Sequence, residues 1–276
     1  MESTVSNPGS ALGEAIGALM EDALNRYLDP LVKSMDCIYI TAGPFNHTTK
    51  KYTKLILYDA YGNGYNIDSV IANKKFQPLI LVESKYIRYK KHNRDKGSWV
   101  CNSHQALRRR FSSVRSSITI LAGNWSQPSK AMMRSYDITL FEIPFEKIAF
   151  ILSKYDIDFN WGEKDREKAK RAWDIFDRLD DNKKNRIGNE IISGILDELK
   201  ESIISILDDS VPREIKEVEI QLSTNLGETK LFVFESVELA LKFLQDLNDD
   251  EDLFNDLLKT DDSPMLFDNV QIELDE

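Results

Sequence analysis

Histidine and cysteine are scarce in this 276-residue chain, with three of the first and two of the second. Cys37 and Cys101 have no metal-ligand spacing, and His47, His92 and His104 complete no zinc-like cluster. A zinc module and a disulfide scaffold are therefore excluded, and free thiols in a reducing cytoplasm are expected. No apolar run approaches the roughly 20 residues that span a bilayer. The opening Met1-Glu2-Ser3-Thr4 has neither the basic nor the apolar part of a secretory signal. Glycine is sparse as well. Gly62 and Gly64 form an isolated pair, so no phosphate loop or dinucleotide fingerprint is present, and no Ser/His/Asp order offers a hydrolase triad.

What remains is a soluble, globular composition, 42% hydrophobic and 30% charged, long enough for one large domain or two modest ones. The net charge of −10 argues against a nucleic-acid partner until its distribution is read. Residues 1–150 carry 20 Lys+Arg against 13 Asp+Glu, and the remainder carries 16 against 33. Within 50–115 the balance is 15 against 4, the concentration of cations that phosphate neutralisation requires. The chain thus has a basic and an acidic half.

Apolar residues Leu12, Ile16, Leu19, Ala23, Tyr27 and Leu31 recur at spacings of three and four. They predict a first helix from a Ser10 cap to about Lys33, weakened near Pro30. Strand-like runs follow at Ile38–Thr41, Lys54–Tyr58, Tyr65–Ala72 and Leu79–Tyr89. A second helix is expected over Asn102–Ser116, then strands at Ile118–Ala122 and Asp137–Ile143 and a helix at Phe145–Tyr155. Past Tyr155 the pattern gives amphipathic helices at Glu163–Leu179 and Ile187–Leu207. A hairpin of Glu214–Leu222 with Lys230–Glu235, a helix at Val237–Leu247 and a last strand near Met265–Leu274 complete it. The fold class expected is mixed α/β, with a core over residues 1–155 and an acidic α+β accessory or dimerisation region over 156–276.

Chemistry concentrates in Tyr65-Asn-Ile-Asp68-Ser-Val-Ile-Ala and Pro78-Leu-Ile-Leu-Val-Glu83-Ser-Lys85. On a strand Glu83 and Lys85 share a face and Ser84 takes the other. A turn over residues 73–77 would pair the two runs and bring Asp68 opposite or diagonal to Glu83. Two carboxylates that close repel unless protonated or bridged by a cation, and Mg²⁺ takes one or two carboxylates plus phosphate oxygens. A lysine on the same face supports the attacking water and the phosphate charge of a transition state. Glu-x-Lys also occurs at Glu198/Lys200, Glu214/Lys216 and Glu228/Lys230. Only Glu83/Lys85 has both an apolar strand before it and an acid at hairpin distance.

Asp68, followed fourteen residues later by Val82-Glu83-Ser84-Lys85, resembles the PD-(D/E)xK nuclease superfamily, which includes most type II restriction endonucleases. The resemblance covers roughly residues 10–155, although Ile67 stands where the motif's proline would be. It implies a restriction-endonuclease-like core of a mixed central sheet flanked by helices. It also implies Mg²⁺, with Mn²⁺ as a substitute, bound by Asp68, Glu83 and the Ser84 carbonyl, with Lys85 assisting the attacking water. Glu14 or Glu21 on the first helix would be an auxiliary carboxylate. Lys90, Lys91, Arg94, Lys96, Gln105, Arg108, Arg109 and Arg110 become candidate DNA contacts, with His104 beside them at the helix start.

The expected activity is Mg²⁺-dependent hydrolysis of double-stranded DNA by a cytoplasmic, homodimeric restriction-type endonuclease, with a cognate methyltransferase as a partner of the system. A repair or mobile-element nuclease with structure-directed cutting, and a non-catalytic DNA-binding module, are the alternatives. The acidic run Asn248–Asp262 is either a solvated tail or a competitor of DNA for the basic surface.

Overall fold

The computed structural model describes residues 7–89, 93–162 and 164–249. Lys90, Lys91, the acidic run beyond Asp249 and the strand expected near Met265–Leu274 lie outside the described residues. The chain divides into two compact units, Met1–Asp208 and Asp209–Glu276.

In the first unit helix α1 (Pro8–Ser34) leads to strand β1 (Ile38–Ile40). Two small hairpins follow, β2 (Phe45–Asn46) with β3 (Lys51–Tyr52), and β4 (Ile56–Tyr58) with β5 (Gly64–Asn66). Then come β6 (Ser69–Ala72), β7 (Pro78–Ile87), α2 (Asn93–Arg110), β8 (Ser116–Gly123), α3 (Gln127–Ser135), β9 (Ile138–Pro144) and α4 (Phe145–Ser153). Three more helices close the unit: α5 (Arg166–Asp177), α6 (Asp181–Ile192) and α7 (Leu196–Leu207). The second unit holds a hairpin of β10 (Val218–Ser223) with β11 (Thr229–Phe234), then α8 (Val237–Asp249). Phe243 of that helix packs on Phe232 and Phe234.

The central sheet has the order β1-β6-β7-β8-β9. Its first three strands are antiparallel and its last three parallel, so the sheet is mixed. The expected β6–β7 hairpin forms, and its turn has a clear chemical cause. Asn73 Oδ1 accepts from the N–H groups of Lys75 and Gln77, and Phe76 takes a positive φ of 58°.

Helix α1 covers one sheet face. Leu12, Ile16, Met20, Leu24, Leu28 and Val32 pack with Ile80, Val82, Ile118 and Ile120 in the main core. Its cap is Asn7 rather than Ser10, with Asn7 Oδ1 accepting from the Ser10 N–H and Pro8 opening the helix, and it runs through Pro30 to Ser34. On the other face Leu107 of α2 packs with Leu81, and Val100 and Cys101 pack with Leu121. The fold is mixed α/β, a central mixed sheet flanked by helices.

Three expectations are corrected. Helix α2 starts at Asn93, not Asn102, so His104 and Gln105 sit mid-helix. The single helix expected over Ile187–Leu207 is two, broken by a turn at residues 193–195. The first compact unit also runs past the expected boundary at residue 156. Phe176, Ile187, Ile191, Leu199 and Ile203 share the core of α1, and Gly188 lies so close to the Leu19 carbonyl that a Cβ there would come within 2.5 Å of it. No helix of the described residues is long and apolar enough to cross a membrane.

Candidate active site

Backbone pairing alone brings the motif together. Ser69 pairs with Val82, so one further step places Asp68 opposite Glu83, just before β6 begins. Asp68 Oδ2 accepts from the Ser84 N–H at 2.8 Å and from Lys85 Nζ at 3.0 Å. Lys85 Nζ also contacts Glu83 Oε2, so both carboxylates converge on one ammonium nitrogen. Trp125 Nε1 donates to the Lys85 carbonyl and fixes the strand from α2's side.

Burial sets the electrostatics. The Glu83 side chain is fully enclosed, whereas those of Asp68 and Lys85 retain about a fifth of their exposure. Loss of hydration, with a smaller contribution from the Asp68 charge, raises the Glu83 carboxyl to about 8 despite the opposing pull of Lys85. Burial alone would lower the Lys85 ammonium, but Glu83 and Asp68 outweigh it and raise it. Glu83 Oε1 is buried and has no hydrogen-bond partner in the protein.

Of the two helix carboxylates, Glu21 reaches the site. Its pKa is raised by burial and then by the Asp68 charge, with Lys85 opposing. Glu14 is exposed and lines the adjoining cleft two turns away. Seven residues along a helix is about 10 Å, which is why sequence spacing puts both on one face without choosing between them. Tyr39 is a neighbour that the sequence did not single out. Its hydroxyl bridges Asn25 Oδ1 and Ser69 Oγ, and burial raises it well above its ordinary value.

A cleft of about 750 Å³ opens from Ser84, Lys85 and Glu21 along the first turns of α1 to Lys96, Arg88 and Arg166. Lys96 donates to the Tyr86 carbonyl, and burial with the nearby Lys85 charge lowers its pKa. Arg88 is a structural cation. It stacks 3.5 Å from the Trp161 ring centroid and 4.1 Å from that of Phe159, and donates to the carbonyls of both residues.

The other candidate DNA contacts are dispersed. Arg94 is exposed at the start of α2. Gln105, Arg108 and Arg109 line a separate, smaller pocket with Tyr136 and Asp137. Arg110 donates to the Asp59 carbonyl and braces the β4–β5 hairpin. His104 is buried beneath α2, facing the sheet and not solvent.

Among the described residues no group of three or more His, Cys, Asp or Glu is arranged as a metal cage. Two carboxylates meeting at one cation nevertheless suit an ion that takes few protein ligands. Mg²⁺ is such an ion, usually keeping several waters and one or two carboxylates. Comparison with protein-family models, curated proteins and solved structures finds no match for this chain.

Proposed function

We propose that the chain is a Mg²⁺-dependent endodeoxyribonuclease of the restriction type. The observation that carries the reading is the convergence of Asp68 and Glu83 on the Lys85 ammonium at the end of a rigid antiparallel strand pair, beside a cleft. Asp68, Glu83 and the Ser84 carbonyl would hold Mg²⁺, with Mn²⁺ able to replace it. Bound there, the ion would polarise a phosphodiester and lower the pKa of water.

The chain's own residues do the rest. Glu83, enclosed and rigid, holds a proton up to about pH 8 and would have to release it to serve as a ligand. Lys85, kept charged by the two acids, stabilises negative charge growing on a phosphate oxygen. The Ser84 N–H aligns Asp68, and Glu21 adds a carboxylate from the α1 side. Lys96 and Arg166 in the cleft supply positive charge for a strand's phosphates.

The same reading takes α1, the β1-β6-β7 meander, α2 and the parallel β8 as a restriction-endonuclease-like core. Element order and the mixed sheet support this. Double-stranded DNA is the substrate, a homodimer cuts both strands, and a cognate methyltransferase protects the host's DNA in the cytoplasm.

The test is incubation of the full chain with mixed plasmid and phage DNA in Mg²⁺ or EDTA. Discrete fragments in Mg²⁺ alone are expected. Smearing would instead favour a structure-directed repair or mobile-element nuclease. No cleavage of any DNA would overturn the enzyme reading in favour of a DNA-binding module.

A further inference from the structure

Behind Glu83 lies a layer of polar groups that the proposed chemistry does not use. In the parallel β7–β8 register Glu83 pairs with Thr119 and Leu81 with Ser117, so all four side chains share the α2 face. Leu107 of α2 packs at the level of Leu81, and Val100 and Cys101 pack at the level of Leu121. His104 lies between these contacts on the same helix face, and so stands over the Glu83–Thr119 pair. The charges of Lys85 and Asp68 both act on its ring.

Every member of this layer is buried: Glu83, Ser117 and Thr119 at 0% exposure and His104 at 1%. Glu83 Oε1, Thr119 Oγ1, Ser117 Oγ and both ring nitrogens of His104 have no hydrogen-bond partner in the protein. An unsatisfied buried polar group costs roughly 1–3 kcal/mol. Five such atoms in one layer is a cost that an apolar set of side chains would remove. The inventory is also complementary. The Glu83 carboxyl accepts, and donates while it holds its proton; each hydroxyl donates and accepts, and neutral imidazole does one of each. Internal water bridges groups of this kind in polar sites.

We propose that His104 is a positioning residue. With the Thr119 hydroxyl it holds the free Oε1 edge of Glu83 through buried water, so that the carboxylate presents one fixed edge to Asp68 and Lys85. Burial keeps the imidazole neutral by lowering its pKa to about 3, so it serves as both donor and acceptor across the physiological range. Ser117 supports the layer one strand-step away. The functional value of the arrangement rests on the nuclease reading of Glu83; the hydrogen-bonded layer itself does not.

The test uses full-length protein labelled with ¹⁵N-histidine, without metal. We expect a single neutral His104 tautomer whose ring proton exchanges slowly, and whose ring resonances move in the near-isosteric Thr119→Val and in Glu83→Gln. Ring resonances indifferent to both substitutions would overturn the proposal. Mn²⁺ binding followed by electron paramagnetic resonance then reads the consequence for the site. Thr119→Val and His104→Leu should weaken binding by about 10- to 100-fold. His104→Gln, which keeps a donor and an acceptor, should recover most of it, and the unfolding midpoint of His104→Leu should not fall. Wild-type protein that binds no Mn²⁺ but shows the coupled His104 signals would sink the nuclease reading and leave the layer standing. Wild-type Mn²⁺ binding that is unaffected by Thr119→Val and His104→Leu would sink the positioning role.

Discussion

Lys85 donates to Asp68 Oδ2 across the β6–β7 pair at 3.0 Å, and the same ammonium contacts Glu83 on its own strand. One cation therefore joins two acid side chains in the metal-free protein, and the enclosed one, Glu83, holds its proton up to about pH 8. On the proposed reading a divalent ion would compete with that ammonium for the two carboxyl groups.

Removing the cation should be felt before any chemistry. Lys85→Ala leaves Asp68 and Glu83 facing each other, and Glu83 responds by keeping its proton. Because Asp68 and Lys85 are partly solvated, the loss should be about 1–2 kcal/mol, short of that for a dry ion pair. Urea unfolding at neutral pH without metal measures it, and added Mn²⁺ should recover the difference.

The enclosure of Glu83 makes stability depend on pH. Its carboxyl is raised to about 8 in the folded chain and sits near 4.5 unfolded, so the folded state holds the proton more tightly. The stabilisation is full below about 4.5 and is lost as pH rises through about 8. The metal-free melting temperature should therefore fall from pH 5 to pH 8, and Glu83→Gln should flatten that slope. For the same reason Mn²⁺ affinity should rise over this range, with proton release visible as a buffer-dependent enthalpy in calorimetry.

Arg88 is expected to matter for stability more than for catalysis. Its guanidinium is held by two carbonyls and stacked on Trp161 and Phe159. Arg88→Ala should cost about 2–4 kcal/mol, read as a lower urea midpoint.

Two truncations test the organisation of the chain. A fragment ending at Asp208 should unfold in one cooperative step, because α5, α6 and α7 lie in the core of α1. A fragment ending at residue 155 should not fold cooperatively. Removing residues 248–276 should raise DNA affinity at low salt if the acidic run competes for the basic surface; unchanged affinity would assign it to solvation alone.

Much of the site was legible because it depends on local rules. Alternation puts Glu83 and Lys85 on one face, and the Asn73–Gln77 turn fixes the register that brings Asp68 to them. Helix α1 was equally readable from its spacing of three and four. The start of α2 was hidden because its first buried positions are Asn93 and Gly97, which carry no apolar signal. Helix α3 was missed for a similar reason, being short and polar with Pro128 in its first turn. The boundary at 208 depends on tertiary packing of Phe176 and Ile187 on α1, which periodicity does not report. The burial of His104 was hidden with the start of α2, because a helix starting at Asn102 would put His104 in its first turn.

The central claim is that Asp68, Glu83 and Lys85 form a metal-assisted phosphodiester-cleaving site. The most direct measurement compares wild type with Lys85→Ala in single-turnover cleavage of plasmid DNA in Mg²⁺, alongside DNA binding in Ca²⁺. We expect cleavage to fall by at least about 10²-fold, with binding within about two-fold. Equal cleavage by both proteins, or loss of binding and cleavage together, would contradict it.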